Sequence, residues 1–204
     1  MATPVHFFYA AYYDRSARAR WLCCELGIPF EDHLVDMAAG EHKRAPFTDL
    51  NPFGQVPAAR IGQVQLFDSM AICQWILETN PGSSLVPMPG TKERAQYLSW
   101  LNWAASTFDR AVFTLYAFKR TPENQPKRDE AALKLKPLLD GLSSHLGDNK
   151  YLLDKKFSTV DIVVGYGLML LRRDLALDGF PRLNTYLDSL AAREPAKKAR
   201  LFDL

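Results

Sequence analysis

The chain has 204 residues, of which 48% are hydrophobic and 24% charged, an ordinary globular mixture that excludes a disordered protein. Twenty-five Lys and Arg against 23 Asp and Glu leave +2, too balanced to recommend a phosphate-rich nucleic-acid partner. The longest apolar stretch, Ile162–Leu171, is half the ~20 residues that a membrane span needs, so no membrane partner is expected. The opening residues MATPVHFFYAAYYDRS lack the basic region and cleavage pattern of a secretory signal, and Cys23, Cys24 and Cys73 make no disulfide framework. The expectation is a soluble cytoplasmic protein. At this length it is one large domain or two small ones.

Val5–Ala10 is β-branched and aromatic, apolar enough on both faces for a strand inside a sheet. Polar residues 12–16 break the run, with Asp14 or Ser16 placed to cap a helix. In that helix Ala17, Trp21, Leu22, Cys24 and Leu26 recur at helical spacing before Gly27 stops it. Phe30–Val35 reads as a second strand, parallel to the first because a helix joins them. Ala38–Arg44 is a polar loop, and Asn51-Pro52-Phe53-Gly54-Gln55-Val56-Pro57 cannot be a regular helix. Ala58–Ile61 and Val64–Phe67 flank Gly62-Gln63, a two-residue hairpin turn. Met70, Cys73, Ile76 and Leu77 then mark a helix directly after Asp68-Ser69. This βαβ–loop–ββα order is the thioredoxin-like arrangement.

Gly, Pro and Ser crowd residues 82–90, and the period changes after them. Leu98, Leu101, Ala105, Phe108, Val112 and Leu115 form a sustained helical stripe, closed by Thr121-Pro122. Leu135, Leu138, Leu139, Leu142 and Leu146 give another helix ending at Gly147. Ser158 and Asp161 have capping-box spacing ahead of the apolar Ile162–Leu171, which predicts a structural cap on a buried central helix. Leu183, Leu187 and Leu190 mark a last helix ending near Glu194-Pro195. The reading is an α/β thioredoxin-like N-terminal domain over residues 1–83 and an all-α C-terminal helical domain over 90–204.

NPFGQVPA, FDSMAICQWI, FSTVDI and FPRLNTYLDSLAAREPAKKA resemble, in order, four segments of the cytosolic glutathione transferase superfamily. RARWLCCELGIPFE is similar to the first helix and second strand of bacterial and fungal members. The resemblance implies a transferase that activates the glutathione thiolate for attack on a hydrophobic electrophile, with glutathione as co-substrate and a homodimer as the usual assembly. It also implies a role in detoxification and a cis bond before Pro57. Val56 would pair with the cysteinyl backbone of glutathione as an added strand, next to Pro57. Ser69, at a helix N-terminus, would hold the γ-glutamyl carboxylate. Asp68 would meet the α-ammonium, Gln55 would add a polar contact, and Lys43, or else His42 or Arg44, would hold the glycyl carboxylate.

A thiol of ordinary pKa is only a few per cent ionised at neutral pH, so the enzyme must stabilise the thiolate. The superfamily uses a Tyr or Ser hydroxyl near the end of the first strand and start of the first helix. Matching on Arg20-Trp21 puts Tyr9 at the tyrosine position and Tyr13 or Asp14 where serine classes carry their serine. Ser16 is then the nearest alternative hydroxyl. Backbone amides at the helix start are a further source of stabilisation. Tyr12 and Tyr13, with Phe108, Arg110, Phe113 and Tyr116, are expected to line the electrophile site. Arg15, Arg18 and Arg20 read as solvated or dimer-facing, Lys127–Arg128 as a solvated helix end, and Trp100 with Trp103 as interdomain packing. The cysteines read as core residues. His6, His33, His42 and His145 have no partners at ligand spacing in the sequence, so no metal is expected. Two rival readings are a non-enzymatic transferase-like module for protein contacts and a glutathione-dependent isomerase.

Overall fold

A computed structural model describes residues 3–174 and 176–202, which divide into two compact units, 1–83 with 193–204 and 84–192. In the first unit, β1 (Val5–Tyr9), β2 (Phe30–Leu34), β3 (Ala58–Ile61) and β4 (Val64–Phe67) form one sheet in the order β2-β1-β3-β4. β1 runs parallel to β2 and antiparallel to β3, and β3–β4 is a hairpin pairing Ile61 with Val64. Val5, Phe7 and Tyr9 point into the core, whereas His6 and Phe8, on the other side of the pleat, are half-buried. β1 is therefore apolar-buried on one face only.

α1 (Ser16–Leu26) crosses from β1 to β2 and packs on α3 (Ser69–Glu78). It ends at Gly27, whose φ of +68° lets Ile28 N–H reach back to the Cys23 carbonyl at 2.9 Å. The polar loop and proline-rich stretch also hold a 3₁₀ turn at Glu41–Lys43 and a short helix, α2 (Phe47–Leu50), which carry no apolar period long enough to signal them. Phe47 of α2 joins Val35 and Ala58 in a small core against Phe8, Leu50 and Val56.

The second unit is helical: α4 (Lys92–Trp103), α5 (Asp109–Tyr116), α6 (Gln125–Leu146), α7 (Thr159–Arg173) and α8 (Pro181–Ala191). A π-turn at Ala104–Phe108 joins α4 to α5 and shifts the buried stripe. Tyr97, Leu101, Ala104, Phe108, Val112 and Leu115 are buried, while Leu98, expected inside, is 43% exposed. α7 is buried along nearly its whole length, as its composition predicts. The capping box is formed: the Asp161 carboxylate accepts from Ser158 N–H at 2.8 Å, and from Leu152 N–H and the Tyr186 hydroxyl at 3.0 and 2.7 Å.

The last stretch departs from expectation. α8 stops at Ala191, and Glu194-Pro195, expected to end a helix, instead begin α9 (Glu194–Lys198). Proline is tolerated there because a first-turn N–H has no intrahelical partner to lose. Residues 193–204, read as part of the helical domain, cluster with the first unit. Arg193 grips Glu25 of α1 through two bonds of 2.8 and 2.6 Å, and Phe202 packs edge-on to Trp21.

Candidate functional site

Register alone brings the first unit's candidate segments to one end of the sheet. Phe8 pairs with Ala58 and Ala58 with Phe67, so Tyr9, Val56-Pro57 and Asp68-Ser69 all lie just beyond the last rungs. The Val56–Pro57 peptide is cis. Asn51, buried at 3% exposure, shapes the preceding loop: its side chain accepts from Phe53 N–H at 3.0 Å and donates to the Gln55 carbonyl at 2.6 Å. Gly54 closes the same loop at φ +58°, where an added Cβ would fall 2.5 Å from the His42 carbonyl. Lys43 is anchored to this turn through the Gly54 carbonyl at 3.1 Å and that of Phe53 at 3.4 Å. An ammonium has a third N–H, so an anion can still be met. Gln55 is exposed beside it.

At the start of α3, Asp68 is the N-cap, its carboxylate accepting from Met70 and Ala71 N–H at 2.8 and 3.3 Å. It adopts φ +70°, a costly backbone for a non-glycine residue. Ser69 is buried, and its hydroxyl oxygen accepts from Arg18 at 3.3 Å. The hydroxyl proton remains available to donate elsewhere. Arg18 and Arg20 are each 1% exposed, which overturns their reading as solvated or dimer-facing. Arg20 donates to the Tyr12 carbonyl at 2.6 Å, pairs with Asp32 at 3.5 Å, and lies 4.9 Å from the Tyr9 and Tyr12 ring centres. The sequence pattern hid both, because an arginine buried by its partners looks the same in sequence as a solvated one.

The hydroxyl candidates fare differently. Ser16 is wholly buried, and its Oγ has no hydrogen-bond partner among the described residues. Asp14 rather than Ser16 organises the helix start: its carboxylate accepts from Ala10, Ala11 and Ser16 N–H at 2.7, 3.2 and 2.7 Å. Tyr9 is 7% exposed, and burial pushes its pKa up to about 12, with the hydrogen bond that its hydroxyl donates to Tyr12 adding to the effect. It stays protonated near neutrality. Tyr12 and Tyr13 are each 39% exposed, and Tyr12 is flanked by Arg20 and by Arg200 at 4.7 Å.

In the second unit, Phe108 is 1% exposed and stacks on Trp103 at 5.3 Å. It sits so close over Gly167 that an added Cβ there would come within 2.6 Å, so it is a core residue and leaves no open wall. Arg110 and Tyr116 are exposed and Phe113 is half-buried, stacked with Tyr166 at 6.4 Å. Trp100 and Trp103, read as interdomain packing, find partners within this unit, Trp100 lying 4.2 Å from His145 of α6. Arg128, read as solvated, is buried and bonds the Asp174 carboxylate at 2.5 Å and the Phe118 carbonyl at 2.7 Å. The expectation that the histidines lack partners also fails, since the β1–β2 register brings His6 within 3.1 Å of His33.

Set against known proteins, residues 15–79 match the glutathione S-transferase N-terminal domain and residues 108–194 its C-terminal domain. The chain belongs to the glutathione S-transferase family. It is 32% identical to glutathione S-transferase F7 of Arabidopsis thaliana over 85% of this chain and 88% of that protein. A glutathione S-transferase of Hyoscyamus muticus is 33% identical, over 86% and 87% of the two chains. Among solved structures, glutathione transferase F7 from Populus trichocarpa superposes with a TM-score of 0.85 at 26% identity, covering 96% of this chain and 97% of its own. Glutathione S-transferase-I bound with lactoylglutathione gives 0.83 at 26% identity, over 98% and 99%. The fold is therefore the thioredoxin-like domain followed by an all-α domain. The likeness to bacterial members is not borne out, these curated relatives being plant proteins.

Proposed function

We propose that this protein is a glutathione S-transferase that stabilises the glutathione thiolate for attack on a hydrophobic electrophile. The observation that carries the reading is the convergence, at one end of the sheet, of Val56-Pro57, the Lys43 turn and the Asp68-Ser69 helix start. Each suits one part of an extended tripeptide that carries two carboxylates and an α-ammonium. Val56 offers backbone N–H and C=O for strand addition. Ser69 offers a hydroxyl and a helix N-terminus for the γ-glutamyl carboxylate, with Arg18 holding the hydroxyl in place. Lys43 meets the glycyl carboxylate, Asp68 the α-ammonium, and Gln55 adds a polar contact.

For the thiolate, burial weighs against both Ser16 and Tyr9 as direct donors. We assign the donor role to Tyr13, a 39% exposed residue directly before Asp14, whose carboxylate organises the N-terminus of α1. Tyr12 is the contact of the first unit that we assign to the electrophile. A cytoplasmic homodimer acting in detoxification completes the reading; the exposed rings of Phe53 and Phe67 supply apolar surface for a second copy. Among the described residues no helix is long and apolar enough to cross a membrane.

The test is retention on glutathione-agarose with elution by free glutathione, followed by conjugation of glutathione to an aryl halide. Ser69→Ala should weaken glutathione binding by about 1.5–3 kcal/mol, the worth of a hydrogen bond to a charged group. Failure of the wild-type protein to bind would instead support a non-enzymatic module.

A further inference from the structure

The outer face of the β1–β2 pair carries a cluster that the proposed transferase chemistry does not use. In a parallel pair, residues in register share a face, and here His6 lies opposite Glu31 and Phe8 opposite His33. His6 Nδ1 is consequently 3.1 Å from His33 Nε2 and 3.3 Å from a Glu31 carboxylate oxygen. One ligand atom from each of the three residues can be chosen so that all lie within 4.8 Å of one another.

We propose that His6, Glu31 and His33 form a site for a divalent transition-metal ion of the Zn²⁺ type. The spacing fits. Ligand bonds of about 2.05 Å at the tetrahedral angle put ligand atoms about 3.3 Å apart. Two of the three edges already have that length, and the third closes by rotating Glu31, whose side chain is 60% exposed. Two imidazoles and a carboxylate suit zinc, copper or nickel, whereas magnesium and calcium take oxygen ligands. The His33 ring is held flat against Phe8 at 4.9 Å, and both histidines stand on paired strands, so little order is lost on binding. Three protein ligands leave the fourth position to water or an incoming group. Bound there, the ion would staple the edge strand β2 to β1.

Calorimetric titration with ZnCl₂ of the wild-type protein, His33→Gln and Glu31→Gln tests the site. Both variants lie on the edge strand β2, which supplies no residue assigned to glutathione. One equivalent should bind the wild type, with affinity lowered at least about tenfold in each variant. Zn²⁺ should also raise the wild-type melting temperature, and EDTA should reverse the rise. Equal zinc affinity in all three proteins, or no binding to the wild type, would overturn the proposal. If a variant is misfolded without metal, imidazole proton resonances of the wild type decide. Zn²⁺ should shift those of His6 and His33 and leave those of His42 and His145 in place; the reverse pattern would refute the site.

Discussion

At the scale of single residues, the hydroxyls around α1 separate a burial effect from a chemical one. The Ser16 oxygen is sealed in the fold with no hydrogen-bond partner among the described residues, a costly state for a polar atom. Ser16→Ala should therefore leave the conjugation rate unchanged and keep or raise stability, by up to about 1 kcal/mol, in a chemical denaturation. Tyr13→Phe should slow conjugation at neutral pH by up to about 10²–10³-fold, the ceiling for one donor to a developing charge. A rate loss confined to Ser16→Ala would return the role to the serine. The thiols give a second contrast. Burial pushes Cys73 up to about 12 and raises Cys23 further, both thiols being buried, whereas Cys24, also raised by burial, is only half-buried. A disulfide reagent at pH 8 should thus label Cys24 first and reach Cys23 and Cys73 only on unfolding. Because these pKa values lie above those of the unfolded chain, their contribution is complete below about pH 9 and fades as pH rises toward 12.

At the scale of elements, backbone conformation decides what the loops can hold. Gly54 allows the turn that anchors Lys43, and a methyl group there would strike the His42 carbonyl. Gly54→Ala should cost more than about 1 kcal/mol through the positive φ and the clash together. It should also release Lys43, so weaker retention on glutathione-agarose is the expected readout. Ser158 plays a different part. Its hydroxyl and backbone N–H engage Asp161 at the start of α7, within a buried carboxylate network that includes Tyr186. Ser158→Ala should lower stability by about 1 kcal/mol without changing glutathione affinity. An affinity change at equal stability would mean that the cap does more than hold α7.

At the scale of the whole molecule, the chain leaves the first unit near residue 84 and returns to it at Arg193. The return is secured by a charge pair with little exposure, the Glu25 side chain being 5% and that of Arg193 25% accessible. Glu25 also accepts from the Trp21 indole at 2.9 Å. Glu25→Gln keeps an acceptor for the indole but removes the charge facing the guanidinium, so a loss of about 1–3 kcal/mol is expected. Measured calorimetrically, that is a fall of roughly 2–4 °C in Tm per kcal/mol for a chain of this size. Unchanged melting would show that α9 and Phe202 hold the return without the ion pair.

The sequence by itself determined the architecture and the segments that resemble the family. Hydrophobic period, turn residues and caps act locally, so β1, α1, the β3–β4 hairpin and the Ser158–Asp161 cap were legible within a few residues of chain. Short pieces without a period, α2 and the Glu41–Lys43 turn, were not. Tertiary structure alone decided which polar groups are buried and which side chains meet. Arg18 reaches Ser69 across 51 residues, Arg193 reaches Glu25 across 168, and His6 meets His33 only because two strands align in register. Burial also encloses Ser16 and Phe108, which their positions in the sequence left open. The physical reason is the same in each case: propensity is a property of neighbours along the chain, whereas desolvation and side-chain pairing depend on segments that only folding brings together.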